Sequence, residues 1–301
     1  MRHQALWIRA RAVRAVRDFF WERGFLEVET PLLIPANAPE EYIEPVVIPP
    51  FFLQTSPEIC MKRLLCRGHD KLFQICHCWR AGERGSRHLS EFTMLEWYRA
   101  DSDYEQLMTD CTDLLHYVVT ACSPGNQYLR YNGRKIDPFL PWQRMTLSEA
   151  FQRFGNTSIR DILENGSYEE ILTGQVEPAL AEYASPVIVS DFPVELAALS
   201  RLKNDDRTLA ERFELYVGGL ELANGFSELN DPNEQRRRFQ EANTIRTGDG
   251  RPSLPLPEPF LAELANMPPS AGIALGVDRL VMLLAGCSSI DEVVAFTPEE
   301  L

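Results

Sequence analysis

An α+β fold built on antiparallel strand pairs is predicted by three features of the 301-residue chain. Two alternating strand-like runs, 72–81 and 92–98, are joined by a polar, glycine-bearing loop. Two further apolar runs meet at Gly218-Gly219, and helical periodicity fills 4–23 and 104–122. In the first pair, Gln74, Cys76, Cys78 and Arg80 share a face, with Phe73, Ile75 and Trp79 opposite. Across the loop, Phe92, Met94, Glu96 and Tyr98 point one way and Thr93, Leu95 and Trp97 the other. A cation, a flat aromatic and a carboxylate on one concave face suit a ligand that is anionic, heteroaromatic and cationic in different parts. A half-buried sheet with a solvated arginine fits the same residues.

In chain order, Leu6, Ala10, Val13 and Phe20 recur at helical spacing until Gly24 stops the helix. The run FLEVETPLL is strand-like up to Pro31, where a proline marks an edge or an interface. From Pro35 to Pro50 the chain is proline-rich and irregular, which fits a loop over a site. In LQTSPEICMKRLL, Thr55 or Ser56 caps a helix with Pro57 early and Glu58 in its first turn. Glu58 either completes a capping box with Thr55 or faces a ligand. After the helix at 104–122, RYNGRKID carries the Asn-Gly signature of a tight hairpin. Residues 146–186 read as short helices and loops without chemistry, and Val187 to Pro193 as a buried strand.

The Gly218-Gly219 turn pairs Val217 with Leu220 and Tyr216 with Glu221. Glu214 and Glu221 then lie diagonally on one face, within reach of a shared cation such as magnesium; exposed carboxylates that bind nothing fit equally. Asn224, Phe226 and Glu228 share a face of opposite parity to Glu221, so a bulge between Glu221 and Asn224 is needed to bring all four to one side. Further on, MPPSAGIALGVDRLVMLLAG turns from strand to helix near Asp278. Small residues at Gly272, Ala274 and Gly276 admit a ligand close to the backbone, and Arg279 adds charge at the positive end of the helix.

A net charge of −14 argues against broad attraction to nucleic acid. The basic residues cluster instead at Arg9, Arg11, Arg14, Arg17 and Arg23 and at Arg236, Arg237 and Arg238, as solvated faces or local contact patches. The seven cysteines suit reduced core positions. Cys76-His77-Cys78, with Cys60, Cys66 and His69 nearby, is the sharpest metal candidate, but strand alternation turns His77 away from both cysteines. No apolar run approaches the roughly 20 residues of a membrane span, and a cytoplasmic location is expected.

Together, HLSEFTMLEWY, GLELANGFSELND and GIALGVDRLVML resemble the signature motifs of class II aminoacyl-tRNA synthetases, most closely the lysyl-tRNA synthetase catalytic domain. The resemblance covers nearly the whole chain. It implies a single catalytic domain over 1–301, an antiparallel sheet flanked by helices, and a homodimer formed through the first helix and the strand ending at Pro31. It implies ATP as substrate, with Arg80 on the α-phosphate, Phe92 stacked on adenine, Arg279 on the γ-phosphate, and Gly82, His88, Leu89, Glu221, Leu222 and Gly276 around the nucleotide. Glu214 and Glu221 match magnesium carboxylates. Glu228, helped by Glu96 and Tyr98, matches the pocket for a lysine side-chain ammonium. Ser56, Pro57 and Glu58 match residues around the amino-acid head, and Asn224, Phe226 and Ala274 complete that pocket.

The chain departs from the family pattern at Gly82, where a glutamate is common and Glu83 follows, and at Leu89-Ser90 in place of Asn-Pro. It begins at the first-motif helix, so no anticodon-binding barrel is expected, and Ala274 replaces a glycine. Both features resemble the branch of the family that attaches (R)-β-lysine to a lysine of elongation factor P. That branch implies lysine or β-lysine and elongation factor P as partners, with no tRNA and no membrane. A truncated tRNA-charging enzyme and a non-catalytic lysine- or nucleotide-binding regulator are the alternatives.

Overall fold

A computed structural model describes residues 2–122, 125, 127–197 and 199–301. Helix α1 (Arg2–Glu22) ends at Gly24, whose φ of +73° only glycine adopts without strain. Four short strands follow: β1 (Leu26–Glu27), β2 (Leu33–Ile34), β3 (Val47–Ile48) and β4 (Phe51–Leu53). Of the strand expected to run to Pro31 only the two residues of β1 form, β2 starting beyond that proline, and the proline-rich stretch from Pro35 to Pro50 is irregular except for β3 near its end. Helix α2 (Glu58–Leu65) leads into β5 (Lys71–Trp79) and β6 (Glu91–Ala100), then α3 (Tyr104–Cys122). The hairpin β7 (Leu129–Tyr131) and β8 (Arg134–Ile136) turns at Asn132 and Gly133, both with positive φ, as its Asn-Gly turn requires.

Strand β9 (Gln143–Thr146) precedes a group of short helices: α4 (Leu147–Ala150), α5 (Ile159–Asn165), α6 (Tyr168–Ile171) and α7 (Glu177–Leu180). Strands β10 (Val187–Pro193), β11 (Leu209–Val217) and β12 (Leu220–Ser227) come next. They are followed by α8 (Pro232–Gly248), α9 (Glu258–Glu263), β13 (Ser270–Gly276) and α10 (Val277–Ala285).

Eight strands form one sheet in the order β1-β5-β6-β13-β12-β11-β10-β9. Its six central strands are antiparallel to their neighbours, while β1 joins β5 and β9 joins β10 in parallel at the two edges. One face carries Phe73, Leu95, Trp97, Phe213, Leu215 and Ile273 into a core shared with α1, α3 and α10. Because side chains alternate along a strand, the residues between these positions face the opposite way, and that face is the floor of a cleft. At one end of the cleft α2, α8 and α9 pack around Met61, Phe239 and Phe260; at the other, the short helices pack around Phe151, Leu180 and Phe192.

The two arginine clusters are largely engaged within the chain. Arg9 pairs with Asp278 at 2.5 Å, Arg17 with Glu27 at 2.8 Å, and Arg23 lies over Phe19. Arg236 pairs with Glu258 and Arg237 with Glu234 and Glu241. No helix among the described residues is long and apolar enough to cross a membrane.

Candidate active site

The cleft floor is a grid of side chains fixed by strand register. One row runs Glu214, Asn224, Ala274, Glu96, Gln74 across β11, β12, β13, β6 and β5; the next runs Arg212, Phe226, Gly272, Tyr98, Leu72. Gly218 and Gly219, both with positive φ, set Tyr216 opposite Glu221 and Val217 opposite Leu220. Leu215 then pairs with Ala223, so Leu222 is the extra residue of a bulge that brings Glu221 to the same side as Asn224 and Phe226. Gly272 is required by space: a Cβ there would lie 2.2 Å from the Tyr98 ring and 2.4 Å from Glu228 Oε1.

The cleft has a volume of about 370 Å³. Arg80, His88, Leu89, Phe92, Glu221, Leu222, Gly276 and Arg279 line one part of it, and Ser56, Glu58, Glu96, Tyr98, Asn224, Phe226 and Ala274 line another. The Arg80 guanidinium sits 5.2 Å from the Phe92 ring centroid, and its buried Nε has no hydrogen-bond partner among the described residues. Arg279, in the first turn of α10, donates to the Glu221 carbonyl at 2.7 Å and lies 2.7 Å from His88 Nε2. Burial, then the Arg279 charge, holds His88 below its ordinary value, so a neutral imidazole accepting from Arg279 is the favoured form.

Four expected site residues are not on the wall of this cleft. Pro57 opens α2 just behind Ser56. Gly82 occupies a turn with φ of +79°, a conformation strained for the glutamate expected there, and the next residue, Glu83, lines the cleft instead. Glu214 lines a neighbouring cavity of about 550 Å³, which also meets His88, Glu221 and Arg279. There Glu214 accepts from Arg212 at 2.6 Å and from Tyr216 at 2.7 Å. Burial pushes its carboxyl up, opposed by Arg212 and reinforced by Glu221.

Glu228 is fully buried behind Tyr98 and Gly272, and an internal lysine that the sequence reading missed already holds it. The Lys62 ammonium contacts both Glu58 and Glu228 and is itself excluded from solvent. Glu58 thus turns to Lys62 instead of closing a capping box, while Thr55 bonds Asn37 at 2.9 Å. Ser56 accepts from the Glu58 amide at 3.0 Å and donates to Glu96 at 2.6 Å; Tyr98 donates to the other Glu96 oxygen at 2.8 Å. Of these three carboxylates, Glu58 and Glu228 share one ammonium, and Glu96 has only hydroxyl partners. Burial, reinforced by the Glu58 charge, pushes Glu96 up to about 8. Burial raises Glu228 as well, with Lys62 pulling back, whereas burial lowers Lys62 and the two carboxylates more than restore it, leaving it protonated. The i,i+4 spacing of Glu58 and Lys62 was visible in the sequence; the Glu228 contact was not.

Glu214 and Glu221 offer hard oxygen donors beside the arginine end of the cleft, and their mutual repulsion is what a divalent cation relieves, so this pair fits Mg²⁺. At the cysteine motif, Cys76 and Cys78 pack against Met94, and His77 reaches out to Glu91 at 3.1 Å.

Residues 1–300 match the family model for class II tRNA synthetases of the D, K and N type. The chain belongs to this family. Among curated relatives of this class II chain are three proteins named elongation factor P–(R)-β-lysine ligase. That of Avibacterium paragallinarum is 39% identical, aligned over 98% of this chain and 96% of its own length. The Pectobacterium atrosepticum protein is 39% identical over 97% and 94%, and the Salmonella gallinarum protein 39% over 96% and 93%. The class II assignment agrees with the antiparallel-dominated sheet flanked by helices.

Proposed function

We propose that this protein activates (R)-β-lysine with ATP as an aminoacyl-adenylate and transfers the acyl group to a lysine of elongation factor P. The observation that carries this reading is the division of one cleft into a cationic and aromatic end, with Arg80, Phe92 and Arg279, and a buried acidic end, with Glu58, Glu96 and Tyr98. An ATP molecule suits the first and an ammonium-bearing acid the second. The substrate carboxylate is already ionised, so its attack on the α-phosphorus, with pyrophosphate leaving, needs no general base. It needs charge compensation and alignment, which Arg80 and Arg279 supply in a partly desolvated cleft. In the second half-reaction the acceptor amine attacks the acyl carbonyl, AMP leaves, and the amine gives up a proton. Glu214 and Glu221 would hold Mg²⁺, which when bound offsets phosphate charge.

The reading includes a single catalytic domain over 1–301, a cytoplasmic location, and a homodimer. The dimer is supported by apolar side chains left exposed on α1 and the small β2-β4-β3 sheet, among them Trp7, Leu33, Val47 and Ile48. The direct test offers ATP, magnesium and (R)-β-lysine with either elongation factor P or tRNA-Lys. A mass increase on one lysine of the factor, with little stable label on tRNA, is expected. Efficient tRNA charging beside an unmodified factor would overturn the protein-acceptor reading.

A further inference from the structure

The acidic end of the cleft holds a carboxylate contributed from outside the signature motifs. Glu40 lies on the irregular stretch between β2 and β3 and lines both the cleft, with Ser56, Glu58 and Arg80, and an adjoining cavity, and its carboxylate feels the charges of Arg80, Glu58, Arg212 and Lys62. Its carboxylate has no hydrogen bond or ion pair among the described residues. Its backbone, in contrast, is fixed. The fully buried Arg246 donates to the carbonyls of Glu40 at 3.3 Å and Ile43 at 2.9 Å, and pairs with Glu44 at 2.7 Å. The Ala81 amide also donates to the Glu44 carbonyl at 2.7 Å. An acid held over a cleft by a buried arginine, yet given no partner of its own, is placed to meet a ligand. Burial pushes it up to about 7, and Arg80 is the charged neighbour that opposes this most.

The other carboxylates divide clearly. Lys62 engages Glu58 and Glu228, and Glu228 is screened from the cleft by Tyr98 and Gly272. Glu96 is met only by the neutral hydroxyls of Ser56 and Tyr98. Two carboxylates, Glu96 and Glu40, thus line the cleft without an ion pair among the described residues, although Arg80, Arg212 and Lys62 are charged neighbours of Glu40. A diamino acid brings two ammonium groups. Resting on the proposed activation of a lysine-type acid, we propose that Glu40 is a specificity-determining residue that binds the substrate ammonium nearer the reacting carboxyl, leaving the distal ammonium to Glu96. Arg80, assigned to the α-phosphate in that reading, lies beside Glu40, and this places Glu40 at the reacting end. The Glu40 contact acts in ground-state binding, so its loss falls on KM more than on kcat.

The test compares wild type with Glu40→Gln, which keeps the side-chain shape, in amino-acid-dependent pyrophosphate exchange by the full chain. (R)-β-lysine and α-lysine serve as substrates. 6-Aminohexanoate, which keeps the carboxyl and distal ammonium but lacks the second amine, is read by its inhibition constant against (R)-β-lysine. Glu40→Gln is expected to lower kcat/KM at least tenfold for both diamino acids, mainly through KM. The 6-aminohexanoate constant should move less than twofold, and Glu40→Asp should recover part of the loss. An unchanged diamino-acid KM, or an equal loss for all three compounds, refutes the role of Glu40 while leaving the activation reading intact. A wild-type protein that activates no lysine-type acid refutes that reading and this inference with it.

Discussion

Replacing Lys62 by methionine removes the only ammonium among three buried carboxylates while nearly preserving side-chain length, and its cost should depend steeply on pH. With Lys62 gone, Glu58 and Glu228 lose a cation that contacts both. Breaking a buried pair from one side costs about 3–5 kcal/mol, because the remaining charge stays desolvated. The folded protein can escape by protonating one carboxylate, at about 1.4 kcal/mol for each pH unit above its unfolded value. From the ordinary carboxyl value of 4.5, that escape costs close to 5 kcal/mol at pH 8 but only about 1.4 kcal/mol at pH 5.5. The sign follows from linkage. An acid whose folded value is raised contributes its full stability only below the unfolded value and loses it as pH rises towards the folded one, and without Lys62 nothing pulls the buried Glu228 carboxyl back down. Urea unfolding at the two pH values would measure the difference by linear extrapolation. The expected loss is about 3–5 kcal/mol at pH 8, shrinking to about 1–1.5 kcal/mol at pH 5.5. A loss that is the same at both values, or a variant as stable as wild type at pH 8, would refute the charge-balance argument.

Other outcomes follow from the same grid of side chains. Gly272→Ala puts a methyl where the Tyr98 ring and Glu228 already sit, and should lower amino-acid-dependent pyrophosphate exchange by at least about tenfold with the circular dichroism spectrum retained; unchanged exchange would show that this wall yields. Ala274 projects its methyl between Asn224 and Glu96, so Ala274→Gly should improve α-lysine relative to (R)-β-lysine, and a fixed ratio of their kcat/KM values would remove Ala274 from that choice. Because Glu96 is held up to about 8, a proton competes with the incoming ammonium below that pH. The KM for lysine should therefore fall as pH rises from 6 to 8, a range over which the lysine side chain stays charged. A flat KM profile would mean that Glu96 binds substrate without ionising.

Much of the site was legible because a strand's period of two converts spacing into facing. The shared side of Phe92, Glu96 and Tyr98, the pairing of Tyr216 with Glu221, and the need for a bulge before Asn224 all follow from parity and from Gly218-Gly219. What parity cannot supply is the partner of a charge. Arg9 read as one member of a basic helical stripe, yet it fixes α1 to Asp278 and, at 2.6 Å, to Thr93 on β6. Arg246 gave no signal at all, although it anchors the loop that carries Glu40 over the cleft. Lys62 is the sharpest case. Its spacing from Glu58 suggests a helix-surface ion pair worth a few tenths of a kcal/mol, about 0.2–0.5. Packing instead places it beneath the cleft, against a second carboxylate brought by β12. The same two residue types at the same spacing thereby change from a marginal surface contact to a determinant of how many cations the pocket can accept. That change depends on desolvation, a property of the assembled fold that no local pattern encodes.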